Sequence, residues 1–134
     1  MAADIAAILE RFRAGDEATA FYELLESPGS LLTELIGRFR SESQSQVRAL
    51  LVKVAWERKE AGVIAFLREA LTVADELVWQ QALDGLVAFA SDEARAILIE
   101  ARERGFADEA LTNRFRLWLE EALHQVDFEL RART

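Results

Sequence analysis

An all-α fold is predicted from three observations. Ala, Leu and Glu, all strong helix formers, supply 59 of 134 residues. Only six Gly and one Pro interrupt the chain. Apolar residues recur at i, i+3, i+4 and i+7 almost throughout, with no sustained alternation. With 51% apolar residues, the chain is long enough for one domain, 1–134, with a core of its own.

Ile5, Ile8, Leu9 and Phe12 form the first stripe, closed by Gly15 and Asp16. Ala18, Phe21, Tyr22 and Leu25 form the second, and Leu32, Leu35, Ile36 and Phe39 the third, beyond the Ser27-Pro28-Gly29-Ser30 break. Ser43 and Gln46 stand at capping-box spacing, so a fourth helix is expected to start there. It is apolar nearly all round from Val47 to Trp56, which predicts a place in the interior. Val63, Ile64, Leu67, Ala70 and Leu71 follow a break near Arg58 and Lys59. After a turn near Asp75, Trp79, Ala82, Leu83, Leu86 and Ala90 mark a longer helix. Ser91 with Asp92 and Glu93 makes a favourable helix start, and Gly105 is the expected stop. The last helix, from about Asp108 to Leu130, carries Leu111, Phe115, Trp118, Leu119, Ala122 and Val126. About eight helices are expected, with Trp79 and Trp118 both in the core.

Residues 49–67 laid over 82–100, an offset of 33, give Ala49/Ala82, Leu50/Leu83, Val54/Val87, Ala55/Ala88, Glu60/Glu93, Ala61/Ala94 and Ile64/Ile97 as identities, with Trp56 over Phe89. A period in the thirties predicts stacked helical pairs that share a core with their neighbours. In Val47-Arg48-Ala49-Leu50-Leu51 followed by Glu60-Ala61-Gly62-Val63-Ile64-Ala65-Phe66-Leu67, the chain resembles HEAT-repeat solenoids over roughly residues 31–104. The resemblance implies a short right-handed solenoid of antiparallel helices, with residues 1–30 and 105–134 as capping helices. It also implies a scaffold that binds proteins, similar to some toxin-neutralising immunity proteins and to adaptors.

Sixteen Lys and Arg against 24 Asp and Glu give a net charge of -8. That balance disfavours nucleic acid and suits a basic protein partner through electrostatic steering. Arg102, Arg104, Arg114 and Arg116 lie close in sequence but are interrupted by acids, as in a mixed-charge surface. No cysteine is present, which is consistent with a cytoplasmic protein. The start carries Asp4 and no early Lys or Arg, unlike a secretory signal, and no apolar run reaches membrane-spanning length. A soluble protein without membrane contact is therefore expected.

No catalytic residue or cofactor is assigned from the sequence. Glu121 and His124 have the Glu-x-x-His spacing of helical di-iron proteins, but His124 is the only histidine, so no metal is expected. His124 falls opposite the Leu111, Phe115 and Trp118 stripe, a solvent position. The candidate partner-binding residues are Gln80, Gln81 and Asp84, extended by Arg48 of the preceding inner helix, and an outer ridge of Phe66 and Ile99, equivalent at the 33-residue offset. The expected function is a non-enzymatic protein-interaction module, with a monomer as the expected state. The alternatives are a small helical enzyme with a carboxylate-lined groove and a self-associating structural protein.

Overall fold

The structure is a computed structural model that describes residues 4–134. Eight helices account for the regular structure of the described residues, and no strand occurs among them. They are α1 (Ile5–Arg13), α2 (Glu17–Glu26), α3 (Leu32–Ser41), α4 (Ser45–Arg58), α5 (Val63–Ala70), α6 (Glu76–Phe89), α7 (Asp92–Ala101) and α8 (Glu109–Ala132). The chain divides into two compact units, one ending at Val63 and one running Ile64–Thr134.

In the first unit α4 is the hub, packed by α1, α2 and α3. It buries Val47, Leu50, Leu51, Val52, Val54 and Ala55, as its all-round apolar sequence predicts. Its start differs from expectation. Ser43 is not the cap; the helix begins at Ser45, and the Glu42 carboxylate accepts the Gln44 N–H at 3.0 Å instead. The stripe expected for α2 is also turned: Ala20 and Leu24 are buried, whereas Tyr22 is exposed.

The α2–α3 turn is held by one part-buried ion pair from the far end of α4. Arg58 Nη1 donates to the carbonyls of Leu24, Leu25 and Ser27 at 2.8–3.0 Å, the exposed carbonyl end of α2. Its Nε donates to Glu60 at 2.6 Å. Glu60 in turn accepts from Ser30 Oγ at 2.5 Å and from the backbone N–H groups of Leu31 and Leu32 at 3.0–3.2 Å. A carboxylate there meets the positive end of the α3 dipole. Burial opposes its charge, but the bonds from Ser30, Arg58, Leu31 and Leu32 outweigh that and pull its pKa down to about 2.

In the second unit α6, α7 and α8 pack against one another around Trp79, which is fully buried as expected. The Trp79 ring meets Phe115 edge-on at 5.2 Å, and Phe115 meets Phe106 likewise at 5.2 Å. Asp75, Ser91 and Asp108 cap α6, α7 and α8 through the N–H groups of Leu77, Ala94 and Leu111. α7 ends at Ala101, four residues before the expected Gly105. Gly105 serves packing instead: a Cβ there would lie 2.7 Å from Thr112 Cγ2. The buried Thr112 hydroxyl accepts the Phe106 N–H at 2.8 Å, and carbonyls of Phe106 and Asp108 lie within 3.1 Å of it.

The buried rows, and the limits of α4 and α6, repeat at 31 residues, not 33. α4 and α6 have the same length, and each ends on a left-handed residue that is not glycine, Lys59 (φ 56°) and Ala90 (φ 45°). Their buried residues pair as Val47/Val78, Leu51/Ala82, Val52/Leu83 and Ala55/Leu86. The buried rows Leu32-Leu35-Phe39, Val63-Phe66-Ala70 and Ala94-Ile97-Ala101 follow the same step through α3, α5 and α7. A two-residue slip turns a helix by about 200°. Identities at 33 can therefore align opposite faces, as in buried Ala55 over exposed Ala88.

Candidate interaction surface

α8 is the longest helix, and it has two faces of different character. One buries Thr112, Phe115, Leu119, Ala122, Leu123 and Val126. At 100° per residue, Leu117, His124 and Phe128 lie close to diametrically opposite that row. All three are exposed, Leu117 at 74% and Phe128 at 62%. Trp118, expected in the core, is 46% exposed. It sits on the flank, where its ring leans edge-on against Trp79 at 6.4 Å, so half of it packs and half remains wet.

Paired charges fasten α8 on both flanks. Towards α6, Arg114 Nε binds Glu76 at 2.8 Å. Towards α7, Arg102 forms a fork with Glu120 at 2.7 and 2.9 Å, and Arg95 binds Asp127 at 2.5 Å. The hydrogen bond from Arg102 holds the Glu120 carboxyl below its usual range, and Glu120 raises Arg102 in return. Three of the four clustered arginines, Arg102, Arg104 and Arg114, are thus committed to ion pairs within the chain. From residue 64 onward eight arginines meet 14 carboxylates, so this unit carries -6 of the net -8.

Between α6 and α8 lies an open groove of about 390 Å³, walled by Val87 and Ala88 on one side and by His124, Gln125 and Phe128 on the other. Arg133 closes one end by donating to the Ala90 carbonyl at 2.6 Å. Ala88 belongs to the helical row that also contains Leu77, Gln81 and Asp84. Leu77 is a further exposed apolar residue. The result is a polar row on α6 with an apolar residue at its start, whose last member, Ala88, reaches the groove.

The residues singled out from the sequence fall into different settings. Gln80 and Gln81 are half-buried and Asp84 is exposed, all on α6, and Gln80 donates to Glu76 at 3.1 Å. Arg48 belongs to the first unit, where Nε donates to the Phe39 carbonyl at 3.2 Å and the guanidinium lies 4.2 Å from the Phe39 ring centre. Phe66 is only 2% exposed and is not a contact residue: with Val63 and Ala70 it points into the core. Ile99 is half-buried, and its expected equivalence with Phe66 fails because the 31-residue register pairs Phe66 with Ile97. Leu117 and Phe128 were not anticipated, although a wheel centred on Phe115 and Val126 places both opposite the core. His124 is exposed, as expected. Among the described residues no group of three or more His, Asp or Glu is placed to hold a metal ion, and no helix is long and apolar enough to cross a membrane. Compared with known proteins, the chain matches no family model, no curated protein and no solved structure.

Proposed function

We propose that the protein is a non-enzymatic protein-interaction module that receives a basic partner on the α6–α8 face of its second unit. The observation that carries this reading is that the second unit combines large exposed apolar side chains, Leu77 on α6 and Trp118 on α8, with a polar row on α6, a groove between the two helices and the larger share of the negative charge. Aromatic anchors supply affinity when desolvated, and the Gln and Asp side chains fix orientation. The acidic field steers a basic protein toward the face.

The HEAT-like solenoid is part of the same proposal, supported by the 31-residue repeat of helix limits and buried rows. A cytoplasmic immunity protein or adaptor is the role that resemblance suggests. The test is affinity capture from the native host with wild-type chain and with a Leu77→Ser, Asp84→Lys double variant. A basic protein retained by the wild type and lost with the variant, at unchanged melting temperature, is the expected result. Equal retention by both removes the α6–α8 face from the proposal.

A further inference from the structure

The outward row of α8 is spaced as a coiled-coil seam. Leu117, Glu121, His124 and Phe128 follow one another at steps of four, three and four, the d-a-d-a positions of a heptad. All four are exposed, and the row lies between the flank held by α6 and the flank held by α7. The ring contacts and ion pairs that α6 and α7 make with α8 run through its buried face and its flanks, and towards the end of the row His124 and Phe128 wall the open groove beside α6.

The row is also complementary to itself when reversed. About a dyad between Ala122 and Leu123, position 117 faces 128 and position 121 faces 124. A second copy laid antiparallel therefore sets Leu117 against Phe128 and Glu121 against His124, each twice. An imidazole N–H donates to a carboxylate in either protonation state, so the polar layer is satisfied between two apolar ones. The acidic residues bordering the seam, Glu120 and Asp127, are already neutralised by Arg102 and Arg95. The next layer outward opposes Arg114 to Arg131, which limits the seam to these four layers, and Arg114 is engaged with Glu76.

We infer that this face of α8 is a homodimer interface, in which two copies pair antiparallel through Leu117, Glu121, His124 and Phe128. The seam shares His124 and Phe128 with the wall of the α6–α8 groove, but Leu117 and Glu121 lie outside that groove and Leu77 and Asp84 outside the seam, so substitutions at these positions tell the failure of one reading from that of the other. Its small area makes the dimer weak and concentration-dependent.

Sedimentation equilibrium between about 10 µM and about 1 mM brackets the association expected of so small an interface. The expected result is a monomer–dimer equilibrium in the wild type. Leu117→Glu, a change at an exposed site that leaves the core intact, weakens it by roughly tenfold or more. Glu121→Lys also weakens it, and adding His124→Glu to that variant restores it, because the reciprocal pair is rebuilt with its signs exchanged. Register is read by cysteine cross-linking, since the chain has no Cys of its own. An equimolar mixture of Leu117→Cys and Phe128→Cys chains oxidises to the mixed dimer, whereas either variant alone does not, because like positions lie about 16 Å apart along the seam. A monomer throughout the range, a dimer indifferent to Leu117→Glu, or cross-linking as strong in the single variants as in the mixture overturns the inference.

Discussion

The two units solve the same problem, holding short helices together across turns, and differ in one electrostatic device. Beside exposed pairs such as Arg11–Glu23 and Arg38–Glu34, the first has a largely covered one: the Arg58 and Glu60 side chains are 8% and 14% exposed and plug the end of α2 and the start of α3. The second spreads its ion pairs over wet surface, as in Arg68–Glu100, Arg102–Glu120 and Arg114–Glu76, and keeps its one buried polar side chain, Thr112, uncharged. A buried charge is costly unless every partner is present, whereas exposed pairs are screened and individually dispensable. The first unit is therefore brittle at one point, and the second tolerates change at many.

Arg58→Ala tests the brittle point most severely. It strands Glu60 and the α2 carbonyls together, and a loss of about 3 kcal/mol is expected from urea unfolding. Acid probes the same site more gently. Because folding lowers the Glu60 pKa from 4.5 to about 2, its stabilisation is complete above about pH 5 and is lost as the pH falls towards 2, up to about 3 kcal/mol. Glu60→Gln lacks that contribution from the outset, so the gap between its stability and that of wild type should close over this range. A gap that stays constant with pH would break the contrast between the units. Gly105→Ala drives a methyl into Thr112 and should lower stability by about 1–2 kcal/mol in the second unit. Arg102→Ala should leave the thermal midpoint unchanged within error, and a clear drop would show that the exposed pairs matter more than their setting implies.

The helices were legible in the sequence because apolar spacing is a local property. The stripes of α1, α3 and α7 and the Ser91 cap stand where the sequence puts them, and Asp75 and Asp108, read as a turn and a helix start, prove to be caps as well. Register was not legible by identity. In a chain rich in Ala, Leu and Glu, matches accumulate at offsets that rotate one helix against the other, and Phe66 was paired with Ile99 for that reason. Matching the buried rows, Val63-Phe66-Leu67-Ala70 with Ala94-Ile97-Leu98-Ala101, finds the step of 31 directly. The left-handed caps gave no glycine to mark them. The Arg58–Glu60 staple joins residues about 30 positions apart, and no local pattern announces such a bond. The candidate surface was half visible: Gln80, Gln81 and Asp84 were found by their polarity, while Leu117 and Phe128 were hidden by being apolar like the core.

Lys59 and Ala90 occupy a backbone geometry in which a side chain crowds its own carbonyl. Lys59 is exposed, so Lys59→Gly should raise the melting temperature, by about 0.5–1 kcal/mol of added stability; Ala90 is buried, so Ala90→Gly also deletes a packed methyl and the two effects should nearly cancel. Anyone wishing to harden this scaffold for display or grafting would begin at Lys59, since that substitution touches no residue of the faces on which recognition is expected, whereas Ala90 lines the α6–α8 groove.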